Sequence, residues 1–473
     1  MKRKRTLLNY GSLTIQRASV LVRQGKLSPS ELIEAALSRI DTLDPILKAW
    51  VVVDREKARR MAKTQSKPWT SHKRRGLLYG IPVGIKDIFL TSDFKTEAGS
   101  RILADFSPNQ DATAVAKIIQ SGGIILGKTE TTEFASFDPA RTRNPWNLQH
   151  TPGGSSSGSA VAVATGMCLG AIGSQTAGST IRPAAYCGIV GLKPTFGRIS
   201  RHGMIPASWS LDHVGIFAKT VQDAGILLEV LAGFDPLDVT SLCEVIPPYS
   251  KLITRESHRK PRLGLLREYF NENATERIRE NFEATVRTLR SNGAHIAAKK
   301  LPRIFAEVAP ACRIRMISEV AAIHEQLFRL RKKEYGPKIR QEIEAGLRVP
   351  VHSYLRAQKI KNQFASELLT LFSDCDCLVM PSTPSPAPKG LGSTGNGSFN
   401  VPWSFAGYPA LTIPTGLIRR EGLPMGLQLV GRPLEELTVL RVGHWCERVI
   451  GFDADAVGRE GNLVPSHAWE QQV

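Results

Sequence analysis

The stretch Thr151-Pro-Gly-Gly-Ser-Ser-Ser-Gly-Ser159, continued by Ala160-Val-Ala-Val-Ala-Thr-Gly-Met-Cys-Leu-Gly-Ala-Ile172 and closed by Gly173-Ser-Gln-Thr-Ala-Gly-Ser-Thr-Ile-Arg-Pro183, decides how this chain is read. Its middle is rich in Ala, Val and Gly, which predicts a buried helix followed by a strand over 168–172. It is too short to span a bilayer, which takes about 20 apolar residues. The flanks are loops of small residues. Before the middle, 151–159 on its own is a flexible loop or a helix cap. After it, 173–183 leaves a strand with small residues ahead of Ser179, so that backbone N–H groups can turn inward and converge. A tight turn is the other reading of those residues.

The same alternation extends upstream. Gly122-Gly123 ends a helix carrying Ala114, Val115, Ile118 and Ile119, which Asp111 is expected to cap, and Ile124-Ile-Leu126 reads as a buried strand. Residues 81–89 form an apolar run broken by Lys86 and Asp87. Ser28-Pro-Ser-Glu31 is a capping box opening a helix with apolar residues at 32, 33, 36, 37, 40 and 43. Apolar runs alternating with helices predict an α/β fold: a mixed β-sheet flanked by helices. The expected organisation is an N-terminal helical layer (1–75), a core (76–246), a linker and helical insertion or cap (247–376), and a return to the core sheet (377–473). Residues 263–370 read as mostly helical. Strands are expected again at 377–380, 410–414 and 425–430, after a Pro/Gly/Ser loop at 381–398.

Composition excludes several classes. Hydrophobic residues make up 42% of the 473 and charged residues 22%, ordinary globular usage rather than that of a disordered chain. Seven Cys without a Cys-x-x-Cys pair argue against a disulfide framework or zinc site, and for reduced thiols in the cytoplasm. Met1-Lys-Arg-Lys-Arg5 opens like a signal peptide, but Asn9, Gly11 and Ser12 break the apolar run that should follow. The 62 Lys+Arg against 43 Asp+Glu give a net charge of +19, concentrated in the N-terminal arm, the 72–75 loop and residues 251–361. Such a surplus fits a polyanionic partner or a solvated cationic surface.

Two motif matches fail on context. Gly122-Gly-Ile-Ile-Leu-Gly-Lys-Thr129 fits the phosphate-loop pattern, but a helix precedes it and its variable residues form a strand. Gly154-Ser-Ser-Ser-Gly158 fits the nucleophile elbow, but Gln149-His-Thr-Pro-Gly153 cannot be the strand that must precede it. What survives is a combination: Lys86 within Gly80-Ile-Pro-Val-Gly-Ile-Lys-Asp-Ile88, the serine loop at 151–159, and the loop at 173–183. A Lys inside an apolar strand must pair or lose its proton, since burial disfavours the charged form. Snorkelling, or pairing with Asp87, is the bland account of it.

Together these segments resemble the amidase signature family. Its core reads approximately G-G-S-S-x-G-S, then G-S-x-T-x-G-S followed by Arg and P-A, with an upstream G-I-K-D lysine. Ser155 and Ser179 are 24 positions apart, as is usual in the family. Glu133-Phe-Ala135, Gly191-Leu-Lys-Pro-Thr195, Asp212-His-Val-Gly215 and Phe405-Ala-Gly-Tyr-Pro-Ala-Leu-Thr-Ile-Pro414 also resemble family segments, so the likeness runs from about 28 to 445.

The resemblance implies a single large amidase-signature core and a Ser–cis-Ser–Lys triad. In it Ser179 is the nucleophile, Ser155 the bridging serine after a cis peptide bond, and Lys86 the general base. The N–H groups of Thr176, Ala177, Gly178 and Ser179 form the oxyanion hole, and neither metal nor organic cofactor is required. Many relatives carry Asp at the position of Gln175, Gly at those of Ala177 and Ser157, and an Arg two residues after the nucleophile rather than three. The Thr-Ile-Arg-Pro form resembles a malonamidase-like or urethanase-like branch. There Arg182 binds a substrate carboxylate, against the alternative that it pairs with a core carboxylate.

The expected activity is therefore a serine hydrolase cleaving C–N bonds of amides or related carbamates through an acyl-enzyme at Ser179. The alternative is a glutaminase-type A subunit of a tRNA-dependent amidotransferase. The expected partner is a small amide or carbamate. No membrane is implied, a homodimer is compatible, and nucleic acid is disfavoured because no reading motif or interleaved aromatics accompany the basic residues.

Overall fold

The computed structural model describes residues 10–67, 75–255, 259–418 and 420–452. Among these, eleven strands form one mixed sheet: β1 (Trp50–Val53), β2 (Pro82–Lys86), β3 (Ile124–Thr129), β4 (Gly170–Gln175), β5 (Val190–Lys193), β6 (His213–Ala218), β7 (Arg262–Leu266), β8 (His295–Lys299), β9 (Cys377–Pro381), β10 (Ala410–Ile418) and β11 (Leu423–Val430). Their order is β1-β3-β2-β4-β6-β5-β10-β11-β9-β7-β8. The N-terminal strands fill one side and the C-terminal strands the other, joined where β10 pairs antiparallel with β5. Every residue of β2, β3, β4, β5, β6 and β9 is buried, as expected of strands covered by helices on both faces.

Local signals set several elements. The helix Pro29–Leu47 starts with the capping box: Glu31 N–H donates to Ser28 Oγ (3.1 Å) and Ser28 N–H to Glu31 Oε2 (2.8 Å). The helix Thr113–Gln120 precedes β3 directly, so the Gly122–Thr129 match has helix–strand order, the reverse of a phosphate loop. Asp111 does not cap that helix. Its N-cap is Ala112, and the Asp111 carboxylate instead accepts the N–H (2.8 Å) and hydroxyl (3.1 Å) of Ser92.

The segment read as mostly helical contains two strands. β7 pairs parallel with β9 and β8, so the sheet continues through it. β7 is a five-residue strand whose last four residues are an apolar run, which periodicity cannot distinguish from a buried helical turn, and β8 is a largely exposed edge whose sequence carries no clean alternation. The remainder is helical: Glu276–Ser291, followed by a cap of Phe305–Arg331, Pro337–Gly346 and Val351–Leu369. Core carboxylates fix its middle helix. Asp138 accepts the N–H groups of Lys338 (3.2 Å) and Ile339 (2.8 Å), and Glu133 accepts that of Gly336 (2.7 Å). These are the orphan donors at a helix start. No helix among the described residues is long and apolar enough to cross a membrane. The Met1–Arg5 arm and residues 72–74 of the basic loop lie outside the described residues.

The helix Ser157–Ala164, which follows the serine loop, approaches the sheet as closely as backbone allows. A Cβ at Gly158 would lie 2.1 Å from Ala49 O and 2.4 Å from Glu130 N, both backbone atoms that cannot retreat. Gly158→Ala is therefore expected to lower unfolding free energy by about 1–3 kcal/mol, the range for overpacking a core. Chemical denaturation of the variant measures it, and an unchanged midpoint would refute the close-packing account.

Candidate active site

Lys86 ends β2, and Ser174 stands near the end of its parallel neighbour β4, with Ile85 opposite Ile172 in the register. Lys86 is fully buried. Its Nζ donates to Ser155 Oγ (2.7 Å) and to Ser174 Oγ (2.8 Å). Asp87 is not its partner. The Asp87 carboxylate faces Lys128, 2.9 Å away, whose Nζ also donates to Phe89 O (2.9 Å) and Thr96 Oγ1 (2.7 Å). Burial pushes the Lys86 ammonium down to about 7, with Asp212 pulling weakly the other way. A buried amine between two hydroxyls, without a carboxylate in contact, is neutral for much of the time at neutral pH and can take up a proton.

Ser155 follows the cis Gly154–Ser155 peptide bond. Its loop is held by its own small side chains: Ser157 Oγ donates to Gly153 O (2.7 Å), Ser156 Oγ to Ser174 O (3.2 Å), and Ser159 Oγ to Ile172 O (3.1 Å). Thr132 N–H donates to Ser155 O (3.2 Å). The serine-rich composition thus serves a packed turn rather than a flexible linker, because each hydroxyl replaces a backbone partner that a sheet or helix would supply.

The loop between β4 and the helix Ile181–Cys187 carries Ser179. Gln175 Oε1 accepts the N–H groups of Thr180 (2.8 Å) and Ile181 (2.9 Å), while its Nε2 donates to Ser404 Oγ (2.9 Å). Ser404 Oγ donates in turn to Ala177 O (2.7 Å), and Thr176 Oγ1 to Asp212 Oδ1 (2.5 Å). Asp212 also accepts the N–H groups of Ala207 (2.9 Å) and Ser208 (2.8 Å). Burial raises its pKa, those hydrogen bonds opposing. Within this frame, no hydrogen bond is formed among the described residues by the N–H groups of Thr176, Ala177, Gly178 and Ser179, or by Ser179 Oγ. Four successive donors without acceptors are suited to a developing negative charge.

Thr176, Ala177, Ser179 and Arg182 line a small, partly enclosed cavity of about 30 Å³. Ala135, Ser136 and Phe137 close one wall, and Met316, Val320 and Glu342 of the cap close another.

Arg182 is buried but does not pair with a core carboxylate. Among the described residues its guanidinium donates to Gly154 O (2.7 Å), Gly395 O (2.9 Å) and Thr394 Oγ1 (3.1 Å), and its Nε has no partner. It ties the serine loop to the 381–398 loop while lining the cavity. Burial lowers its pKa.

The structure thus brings Lys86 to Ser155, and Ser179 and Arg182 to one cavity, with Arg182 joining the two groups through Gly154 O next to Ser155. Sequence reading assigned no role to Ser174, Gln175, Ser404, Asp212 or Glu342. Ser174 and Gln175 stood inside a segment already singled out, and Asp212 inside another. Nothing local marked Ser404 or Glu342, which arrive from 229 and more than 160 residues away.

Comparison with known proteins follows the same lines. The family model described as Amidase matches residues 31–440. A curated relative from Roseiflexus castenholzii, the A subunit of glutamyl-tRNA(Gln) amidotransferase, is 35% identical over 92% of this chain and 96% of its own. A structure of the peptide amidase PAM in complex with chymostatin is 31% identical, with a TM-score of 0.82 over 93% of this chain and 98% of its own. A structure described as a vestigial protein complex revealing the evolutionary origins of an s-triazine catabolic enzyme is 29% identical, with a TM-score of 0.86 over 93% of this chain and 99% of its own.

Gln175→Ala removes one acceptor from two buried N–H groups and the partner of Ser404. It is expected to lower unfolding free energy by about 1–3 kcal/mol, read as a lower denaturation midpoint. A wild-type midpoint would show that the Ser179 loop does not depend on Gln175.

Proposed function

The chain belongs to the amidase signature family, and on that basis we propose that it hydrolyses small amides, and by the same chemistry carbamates, through an acyl-enzyme at Ser179. The observation that carries this reading is the buried Lys86 Nζ, 2.7 Å from Ser155 Oγ and pushed down to about 7. A serine hydroxyl is a weak nucleophile until a base takes its proton.

In this reading Ser179 Oγ, turned towards Ser155, attacks the carbonyl carbon. Its proton passes to Ser155 Oγ while Ser155 passes its own to Lys86 Nζ. The carbonyl oxygen becomes an oxyanion held by the N–H groups of residues 176–179. When the C–N bond breaks, the proton on Lys86 returns through Ser155 to the departing nitrogen, leaving an acyl-Ser179 ester. Water, deprotonated along the same relay, attacks the ester and releases the acid. Arg182, charged and without a carboxylate partner among the described residues, is suited to a substrate carboxylate or carbonyl at the cavity wall.

Ser179→Ala and Lys86→Ala are each expected to reduce kcat/KM on primary amides by about 10³-fold or more, as loss of members of a catalytic unit does. Retained turnover in either would remove the mechanism. The pH profile has a definite sign. Lys86 must be neutral to act as base, so kcat/KM should rise as pH increases through about 7 and level off above it. A flat profile between pH 5 and 9 would count against Lys86. A panel of amides, anilides, carbamates and carboxylate-bearing amides defines the substrate.

A second reading is favoured by the curated relatives rather than by the site. The Roseiflexus protein is an amidotransferase A subunit, and seven more relatives of that name are 32–36% identical over more than nine-tenths of this chain. The chain would then release ammonia from glutamine for a transamidation carried out with partner subunits. Glutaminase activity that appears only on adding partner subunits supports this reading, and full activity of the isolated chain on other amides opposes it.

A further inference from the structure

Glu342 is the acidic side chain in the wall of the Ser179 cavity, brought there by the cap helix Pro337–Gly346. Its side chain is 7% exposed. An ionised carboxylate can accept about four hydrogen bonds, yet Glu342 has two long contacts: Oε1 to Arg313 Nη1 at 3.4 Å and Oε2 to Ser136 Oγ at 3.4 Å. Both lie at the outer limit of hydrogen bonding. The Arg313 side chain is 60% exposed and so is largely hydrated, a weak counter-ion for a buried group. The neighbouring carboxylates are committed elsewhere: Asp138 and Glu133 hold the N–H groups at the start of the same helix. Their presence adds negative potential rather than relieving it. On the cavity side, Phe137, Ala207, Met316 and Val320 offer Glu342 no side-chain donor, and Thr176, Ser179 and Arg182, which line the same cavity, form no hydrogen bond to it among the described residues. Burial raises its pKa, chiefly against the pull of Arg313. A buried, under-coordinated carboxylate in a cavity wall is expensive unless something in that cavity satisfies it.

We propose that Glu342 is a specificity-determining residue that binds a cationic nitrogen carried by the substrate away from its scissile amide, so that the site selects small amides bearing an ammonium group. The proposal rests on the reading of this cavity as the acyl-transfer site. Its ligand chemistry is separate from that of Arg182, which takes anionic or carbonyl oxygen. Met316 and Val320, four residues apart on one cap helix, pack the methylene chain between the reacting carbonyl and the ammonium.

The test uses ω-amino amides from glycinamide to 5-aminopentanamide, each paired with the isostere in which methyl replaces the amine, from propanamide to hexanamide. Binding is measured by calorimetry on the full chain carrying Ser179→Ala, so that no turnover is needed. At least one ω-amino amide is expected to bind about tenfold or more tightly than its methyl isostere, a difference appropriate to a charged hydrogen bond. Adding Glu342→Gln, which keeps the shape and removes the charge, is expected to erase most of that advantage. In the enzyme with Ser179 intact, Glu342→Gln should shift the kcat/KM ratio within the same pair by a similar factor. No amine preference at any length, a preference that survives Glu342→Gln, or an equal loss for both members of the pair would overturn the proposal. An amine preference in binding with no hydrolysis of either amide would instead overturn the catalytic reading and leave Glu342 as the binding residue.

Discussion

The structure around the cavity is organised by one buried amine. Lys86 Nζ sits at the end of β2 between the hydroxyls of Ser155 and Ser174, with no carboxylate in contact. Removing an ammonium from water is costly, and a close anion would restore the charged form. The fold withholds that anion by turning Asp87 to the other side of β2, where Lys128 engages it. Two of the three buried lysines in the sheet's strands are therefore held in different conditions. Lys128 is paired with a carboxylate and tied to backbone and hydroxyl oxygens, whereas Lys86 is left to hydroxyls alone.

Around that amine the two serine-bearing loops are built as rigid turns. Side-chain hydroxyls at 156, 157 and 159 and the amide of Gln175 replace backbone partners, leaving four N–H groups beside Ser179 without acceptors. Arg182 locks the serine loop to the 381–398 loop through the carbonyls of Gly154 and Gly395. That loop has the composition of a mobile lid, but near residues 394–395 it is anchored by a buried guanidinium. The cap helix Pro337–Gly346 is anchored in turn by Asp138 and Glu133 at its start, which brings Glu342 to the cavity, while Met316 and Val320 reach it from the helix Phe305–Arg331.

The net charge of +19 has little part in this chemistry. A second, wider cleft lies between residues 253–255 and 259–261 on one side and the helix Glu436–Ile450 on the other, lined by Arg255, Lys260, Arg441 and Arg448 around Trp445. None of these residues lines the Ser179 cavity. The surplus is largely a surface property, and charge alone does not identify what the Ser179 cavity accepts.

Much of the fold was legible because its signals are local. A capping box, an apolar run and a Gly/Ser turn act within a few residues, so the α/β core, the helical cap and the three segments bearing Lys86, Ser155 and Ser179 could be read in order. Where local signals were weak the reading failed: β7 is too short to show a period, β8 is an exposed edge, and Asp111 bonds Ser92 instead of capping a helix. Residue types and their order along the chain were enough to say which side chains could do acyl-transfer chemistry and roughly where they stand. Folding in three dimensions was needed to turn Lys86 towards Ser155 and Ser174 rather than Asp87, to set Arg182 on carbonyls rather than a carboxylate, and to bring Glu342 into the cavity. Those outcomes depend on strand register and on contacts between residues far apart in the chain, and burial fixes them by making each unpaired polar group expensive.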